Sequence, residues 1–287
     1  MNRLTTEDRV RVLAALVEGN SIRSTVRMTG ISKPTVLKLL ADIGRVCGEY
    51  QDKTLRNLRC RRIQCDEIWS FVYAKARNVK AAKAAPPNAG DVWTWVALDA
   101  DSKLAVSWMV GPRDYASATA FMQDVAARLV NKVQLTTDGH NAYLNAVEDA
   151  FGLDVDFAQL QKIYGSERTD ASRYSPGHYI ASRKVVVQGD PDPAHVSTSY
   201  VERQNLTMRM QMRRFTRLTN GFSKKVENHA AMVALHFMAY NFVRIHQTLR
   251  ITPAMAAVVT DHVWDLSELV ALLEASETSE RIAAIIA

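Results

Sequence analysis

Near the N-terminus, apolar residues recur at Val10, Leu13, Ala14 and Val17, the i, i+3, i+4, i+7 spacing of one helical face. Thr5, with Asp8 three residues on, supplies a capping start for that helix. A Gly19-Asn20 break follows, and residues 21–29 suit a second short helix. Gly30-Ile31-Ser32 reads as a tight corner, with glycine providing the backbone freedom. Ser32 then caps a third helix that carries Pro34 in its first turn, where a missing N–H costs nothing. Val36, Leu39, Leu40, Ile43 and Cys47 form its inward face; Lys33, Thr35, Lys38 and Arg45 form its outward face. The pattern is a helix-turn-helix, whose helix after the turn enters the DNA major groove. A small three-helix protein-interaction module is the alternative.

After a basic stretch without clear period, 51–62, the texture changes. Residues 63–73, 92–100 and 104–110 are rich in β-branched and aromatic side chains, are separated by turn chemistry, and predict a three-stranded meander. An amphipathic helix follows over 117–130, with Phe121, Val125 and Leu129 inward. Then come a strand over 133–137, an Asp138-Gly139 corner, a helix over 141–151 and a short strand over 155–163. Residues 164–196, polar and rich in Gly, Ser and Pro, read as an insertion or flap. Helices are expected over 198–215 and 223–244, with a Pro-started turn at Thr252-Pro253 and a final acidic helix over 265–275. This order is that of an RNase H-like domain. The expected fold class is α/β, an RNase H-like mixed sheet flanked by helices, with an N-terminal all-α helix-turn-helix domain. The expected divisions are 1–50 for the head, 51–62 for a basic linker, 63–259 for the core and 260–287 for an acidic helical tail.

Charge sharpens this outline. The net charge is +6 over 287 residues, and it is concentrated. Residues 1–62 carry 13 Lys/Arg against 6 Asp/Glu, and residues 203–225 carry 7 basic side chains and no acid. The segment 260–287 reverses the sign, with 6 acids and one Arg. Two separate basic stretches favour a polyanion partner over a solubilising coat. A 47% apolar composition excludes a disordered chain, and three cysteines exclude a disulfide scaffold. The charged start MNRLTTEDRVRV has no apolar leader core, which predicts a cytoplasmic, nucleoid-associated protein.

Three acids occupy positions suited to phosphodiester chemistry, in which carboxylates from separate elements hold divalent metals at one sheet edge. Asp66 lies inside the first strand, Asp138 ends the fourth, and Glu202 stands in the first turns of the helix after the insertion. Each has an ordinary alternative: a salt-bridged strand acid, a helix cap, and a surface acid at a helix N-terminus. Strand alternation puts Glu67 on the face opposite Asp66, so only one of the two is expected to join such a site.

The segments CDEIWSFVYAKARN, GDVWTWVALDADSKL, VQLTTDGHNAYLNAVEDAFG and the block from Ser199 to Ala256 together resemble bacterial insertion-sequence transposases of the DDE class, in particular the group associated with insertion sequence one. The resemblance runs from about residue 60 to 264. It implies an RNase H-like fold, DNA as substrate, and Mg2+ or Mn2+, two ions in all, as cofactor. It also implies Asp66, Asp138 and Glu202 as both the catalytic and the metal-binding residues, and it selects Asp66 over Glu67. The implied activity is metal-dependent DNA cleavage and strand transfer: water frees a 3′ end, whose hydroxyl then attacks a target strand. A homo-oligomer on DNA is expected because two ends must be paired. The 64 residues from Asp138 to Glu202 exceed the spacing of the shortest retroviral-integrase relatives, and the excess is the 164–196 insertion. A regulator that has lost catalysis and a nuclease without strand transfer are the rivals.

Other side chains complete the expected DNA surface. Arg209 and Arg213 follow Glu202 at i+7 and i+11, within about 20° of its helical face. Arg203, Arg214 and Arg217 flank them, while Val201, Met208, Met212 and Phe215 form an inward apolar face. With Lys33, Thr35, Lys38 and Arg45, the predicted DNA-binding set adds Arg203, Arg209, Arg213 and Arg214. Cys60 and Cys65 are at most half a zinc site, and Cys65 suits a small buried hydrophobe. His229 and His236 suit packing, and His140, beside Asp138, suits substrate contact. Trp93 and Trp95 share one strand face, mostly core, although an exposed Trp could stack on a displaced base.

Overall fold

The computed structural model describes residues 4–165, 179–216 and 219–286. Arg217 and part of the 164–196 insertion, residues 166–178, lie outside them. Three helices open the chain: α1 (Thr6–Val17), α2 (Ile22–Thr29) and α3 (Lys33–Thr54). Thr5, Ser21 and Ser32 each accept a backbone N–H three residues ahead, and Gly30 ends α2 at φ +74°. The stretch read as a linker begins with the last turn of α3. Gln51 there is buried, and its amide donates to the carbonyls of Cys47 and Ala234.

Six strands follow: β1 (Arg62–Val72), β2 (Gly90–Asp99), β3 (Ala105–Gly111), β4 (Val133–Asp138), β5 (Val155–Tyr164) and β6 (Tyr179–Gln188). They form one mixed sheet in the order β3-β2-β1-β4-β5-β6. The pairs β1–β4 and β4–β5 are parallel and the others antiparallel. A short helix α4 (Ala76–Val79) links β1 to β2. The strand β6 lies within the stretch read as an insertion or flap, where no strand was expected. Its residues are exposed on both faces, so YIASRKVVVQ carries no alternation that would mark it as a strand.

The helices α5 (Tyr115–Ala126) and α6 (Ala142–Phe151) cover one face, where Trp95 meets Phe121 and Tyr143 at ring separations of 5.8 and 5.6 Å. Opposite lie α7 (Ser199–Gln211) and α8 (Val226–Met238); Phe237 of α8 stacks on Trp108 of β3 at 5.8 Å. The helix α7 stops at Gln211, earlier than the 215 expected, and Arg213–Phe215 forms a 3-10 turn. α8 ends in a π turn over Ala239–Val243. There the buried Asn241 accepts the N–H of Ala105 and donates to its carbonyl. After α9 (Pro253–Ala256) comes α10 (Leu266–Ile286), which runs eleven residues past the end at 275 expected for the acidic helix.

The three N-terminal helices are built into this core rather than tethered to it. A Cβ placed on Gly44 of α3 would lie 2.5 Å from the backbone of Ala231 on α8, so the two helices meet at glycine distance. α10 closes the other side. Arg9, 5% exposed, reaches Glu277 at 3.1 Å, and Arg45 reaches Glu280 at 2.8 Å. Among the described residues no helix is long and apolar enough to cross a membrane.

Candidate active site

β1 is central and longer than its parallel neighbour. Their ladder ends at Cys65↔Thr137, one residue before Asp138 closes β4, so that flank of β1 is open from Asp66 until Ser223 bridges to Val72. Asp66 faces α7, where Asn205 Nδ2 donates to its Oδ2 at 2.9 Å. Glu67 faces the α5/α6 side and receives Arg113 Nε at 3.2 Å. Asp138 takes the N–H of His140 on Oδ1 at 3.0 Å and Arg113 Nη2 on Oδ2 at 3.4 Å. One oxygen each from Asp66, Glu67 and Asp138 lies within 4.8 Å of the others.

This corrects the expectation that only one of Asp66 and Glu67 could join. Alternation does send them to opposite faces, but past the end of the ladder no β4 backbone separates those faces. Both carboxylates therefore bend round the open flank toward Asp138.

Glu202 enters from α7 and shares with Asp66, Asp138, His140 and Lys162 a cavity of about 790 Å³. It is not one of the converging three. The Thr198 hydroxyl and Lys162 of β5 donate to its two oxygens. α7 itself is docked by the buried Gln64 of β1, whose Oε1 accepts the N–H groups of Tyr200 at 2.9 Å and Val201 at 3.2 Å. Two of the orphan donors at the helix start are thereby satisfied from the strand that bears Asp66.

Burial, then the charges of Asp138 and Glu202, pushes Asp66 up to about 7. Burial and Asp138 do the same to Glu67, also to about 7, with Tyr143 and Arg113 opposing. Tyr143 approaches Glu67 closely enough to favour the carboxylate, yet at a geometry that leaves both Glu67 Oε1 and the Tyr143 hydroxyl buried without a well-formed hydrogen bond. Burial lowers Lys162, but the hydrogen bond and charge of Glu202 outweigh it and leave the ammonium raised. Burial and Arg113 lower His140, whose Nε2 is buried without a partner. Crowded hard oxygen donors, with a buried unpartnered Glu67 oxygen among them, fit a divalent cation of the Mg2+ or Mn2+ type.

The expected DNA-binding side chains are dispersed. Lys33 and Arg213 line a basic cleft of about 730 Å³ between α2/α3 and the segment after α7. Because α7 ends at Gln211, Arg213 leaves the Glu202 helical face, while Arg209 remains on that helix. Arg214 is drawn inward, donating to Ser223 at 2.7 Å, and burial lowers it to about 10. Arg203 is exposed. Thr35 is engaged with Ser32 at 2.8 Å, Lys38 with Asp42 at 2.6 Å, and Arg45 with Glu49 and Glu280.

Cys47, Cys60 and Cys65 are free and buried, and no grouping suited to a metal among the described residues includes a cysteine. His229 and His236 are buried. Trp95 is core and Trp93 partly exposed. Gln64, Arg113, Lys162 and Asn205 were not foreseen. Asn205 had a signal, since i+3 from Glu202 shares its helical face; Arg113 and Lys162 come together only through strand order.

No family model and no curated protein matches the sequence. Among solved structures the chain is similar to the piggyBac transposase in a synaptic complex with hairpin DNA, with a TM-score of 0.44 and 10% identity over 99% of this chain and 73% of that one. It is also similar to the Mos1 transposase in a paired-end complex with the left transposon end, with a TM-score of 0.25 and 12% identity over 55% of this chain and 60% of the other. A Mos1 strand transfer complex matches with a TM-score of 0.24 and 13% identity, over 83% and 79%. Similarity at this level carries no residue-by-residue correspondence.

Proposed function

We propose that the chain is a DNA transposase of the DDE type, with an RNase H-like catalytic core and a helix-turn-helix head. The observation that carries this reading is the meeting of Asp66, Asp138 and Glu202, distant in sequence, around one cavity at the end of the parallel β1–β4 pair. The sequence resemblance to insertion-sequence transposases points to the same three acids.

Asp66 and Asp138 would hold the first divalent ion, with Glu202 completing the set once Lys162 yields its carboxylate, and Glu67 offering a further oxygen. Bound there, Mg2+ or Mn2+ supplies charge neutralisation at the phosphate and a more acidic attacking hydroxyl. Asn205 keeps Asp66 oriented and favours its ionised form. The His140 N–H fixes one Asp138 oxygen, and Arg113 ties Asp138 to Glu67. Arg203, Arg209 and Arg213 would contact DNA phosphates, and Lys33, Thr35, Lys38 and Arg45 would serve the head. A homo-oligomer pairing two DNA ends, acting in the cytoplasm at the nucleoid, follows from that activity.

The test is an assay of purified protein with Mg2+, the terminal repeats of its element and a target plasmid. Joined products that vanish in Asp66→Asn, Asp138→Asn and Glu202→Gln support the reading. Cleavage without joining would make the chain a nuclease, and binding with neither would make it a regulator.

A further inference from the structure

Glu67 stands on the face of β1 that meets Arg113, just ahead of α5. On that face of β1 the residues after Glu67 are Trp69 and Phe71, both partly exposed, whereas Ile68, Ser70 and Val72 on the other face are buried. From Trp69 the rings follow one another, with Trp93 beside them on the neighbouring strand. Trp93 of β2 stands opposite Trp69 in the ladder, Trp69 lies 5.8 Å from Phe71, and Phe71 lies 4.9 Å from Phe222. Cations cap the row along its length. Arg113, which also binds Glu67 and Asp138, lies 5.1 Å from the Trp93 centroid. Lys75 lies 5.6 Å from Trp69, and Lys224 lies 4.2 Å from Phe222. Among the described residues neither lysine meets a carboxylate.

A row of this kind is costly for a bare protein surface, because half-buried aromatic rings face water and the cations over them offset that cost only in part. It suits a ligand that is flat, aromatic and attached to negative charge. Unpaired nucleotides are all three: bases stack on rings regardless of sequence, while their phosphates meet the cations. Duplex DNA is excluded from the rings because its bases are already stacked. The two ends of the row fix its direction. One end is Arg113 at the carboxylates; the other, Phe222 and Lys224, lines the basic cleft that also holds Lys33 and Arg213. From Glu67 to Phe71 the strand rises about 13 Å, enough for more than one nucleotide.

The geometry points to a binding strip for unpaired DNA bases on Trp93, Trp69, Phe71 and Phe222, next to the carboxylates and continuous with the basic cleft. It deepens the transposase reading and rests on it: the strip holds the separated strand next to the phosphate being cut.

The experiment compares a mixed-sequence single strand carrying 2-aminopurine with a blunt duplex of the same sequence, using the full-length chain without divalent metal. Fluorescence quenching reports stacking and anisotropy reports affinity. Trp69→Ala and Phe222→Ala are expected to weaken single-strand binding about tenfold each and abolish quenching, with duplex affinity changed less than twofold. Trp69→Phe and Phe222→Tyr, which keep a ring, are expected to retain most of the binding, and this separates loss of stacking from misfolding. Equal losses on single strand and duplex, or quenching that survives both alanine variants, would overturn the strip while leaving the transposase reading intact. No binding of either DNA would overturn both. Self-association of the DNA-free protein that disappears in Trp69→Ala would assign the row to a protein interface and overturn the proposal as well.

Discussion

Asn205 of α7 donates to the Oδ2 of Asp66 on β1 at 2.9 Å, joining the helix that carries one candidate catalytic acid to the strand that carries another. The bond holds Asp66 in one rotamer and opposes the burial that pushes its carboxyl up to about 7. Asn205→Ala is expected to lower metal-dependent DNA cleavage about tenfold, the loss of one hydrogen bond to a charged group, while thermal stability falls by no more than about 1 kcal/mol. Cleavage at the parental rate would show that Asp66 does not depend on Asn205.

The contact of α3 with α8 makes a sharper stability prediction. Any side chain at Gly44 meets the Ala231 backbone, whereas a Cβ at Gly48, one turn on, meets only the Ala234 methyl at 3.9 Å. Gly44→Ala is expected to cost about 1–3 kcal/mol through forced separation of the helices. Gly48→Ala is expected to be neutral or stabilising by up to about 1 kcal/mol through helix propensity. Urea denaturation of the pair decides it; similar midpoints would mean that the helices shift without penalty.

Two buried imidazoles set the acid limit. His229 contacts Ser70 and Ser223, and His236 contacts Gln204. Burial, then Arg214 for His229 and Arg244 for His236, pushes both down to about 3. The unfolded chain takes up these protons below about pH 6.5, but the folded chain does so only near pH 3. Their stabilising contribution is thus complete above about pH 6.5 and is lost as pH falls through that window, at about 1.4 kcal/mol per pH unit for each histidine. Denaturation midpoints between pH 8 and 5 should fall less steeply in His236→Gln, and an unaltered slope would refute the assignment.

The acidic helix α10 separates stability from charge. Glu280 is 61% exposed and its pair with Arg45 is worth at most about 1 kcal/mol, so Glu280→Gln should barely move the melting temperature. It should tighten DNA binding a few-fold at low salt by removing one of the two carboxylates that neutralise Arg45, with the gain vanishing at high salt. Glu277→Gln, which takes a partner from the 5%-exposed Arg9, should cost roughly 1–3 kcal/mol. Salt titrations and melts of the two variants test both halves.

Much of the frame was legible because local chemistry announced it. Thr5, Ser21 and Ser32 capped the helices, and β1 to β5 were marked by β-branched and aromatic runs between turns. Glu67 was illegible for a specific reason. Alternation assumes a ladder on both flanks, and β1 outlives its β4 partner at the one place where the rule was applied. β6 lacks a buried face and so has no period to read. The end of α7 at Gln211 carries neither Gly nor Pro, so nothing local announced that Arg213 would turn away. Arg113 and Lys162 become neighbours of the acids only when β3 and β5 take their places in the sheet.

The close approach of Gly44 to Ala231 has a consequence for shortened forms of the protein. α8 follows Glu202 in the chain, yet it is the surface on which α3 rests. A product ending before Ser199 would therefore lose Glu202 and the seat of the N-terminal helices in a single cut. The two properties are linked by chain order: a C-terminal truncation that removes Glu202 also removes the native support of the N-terminal helices.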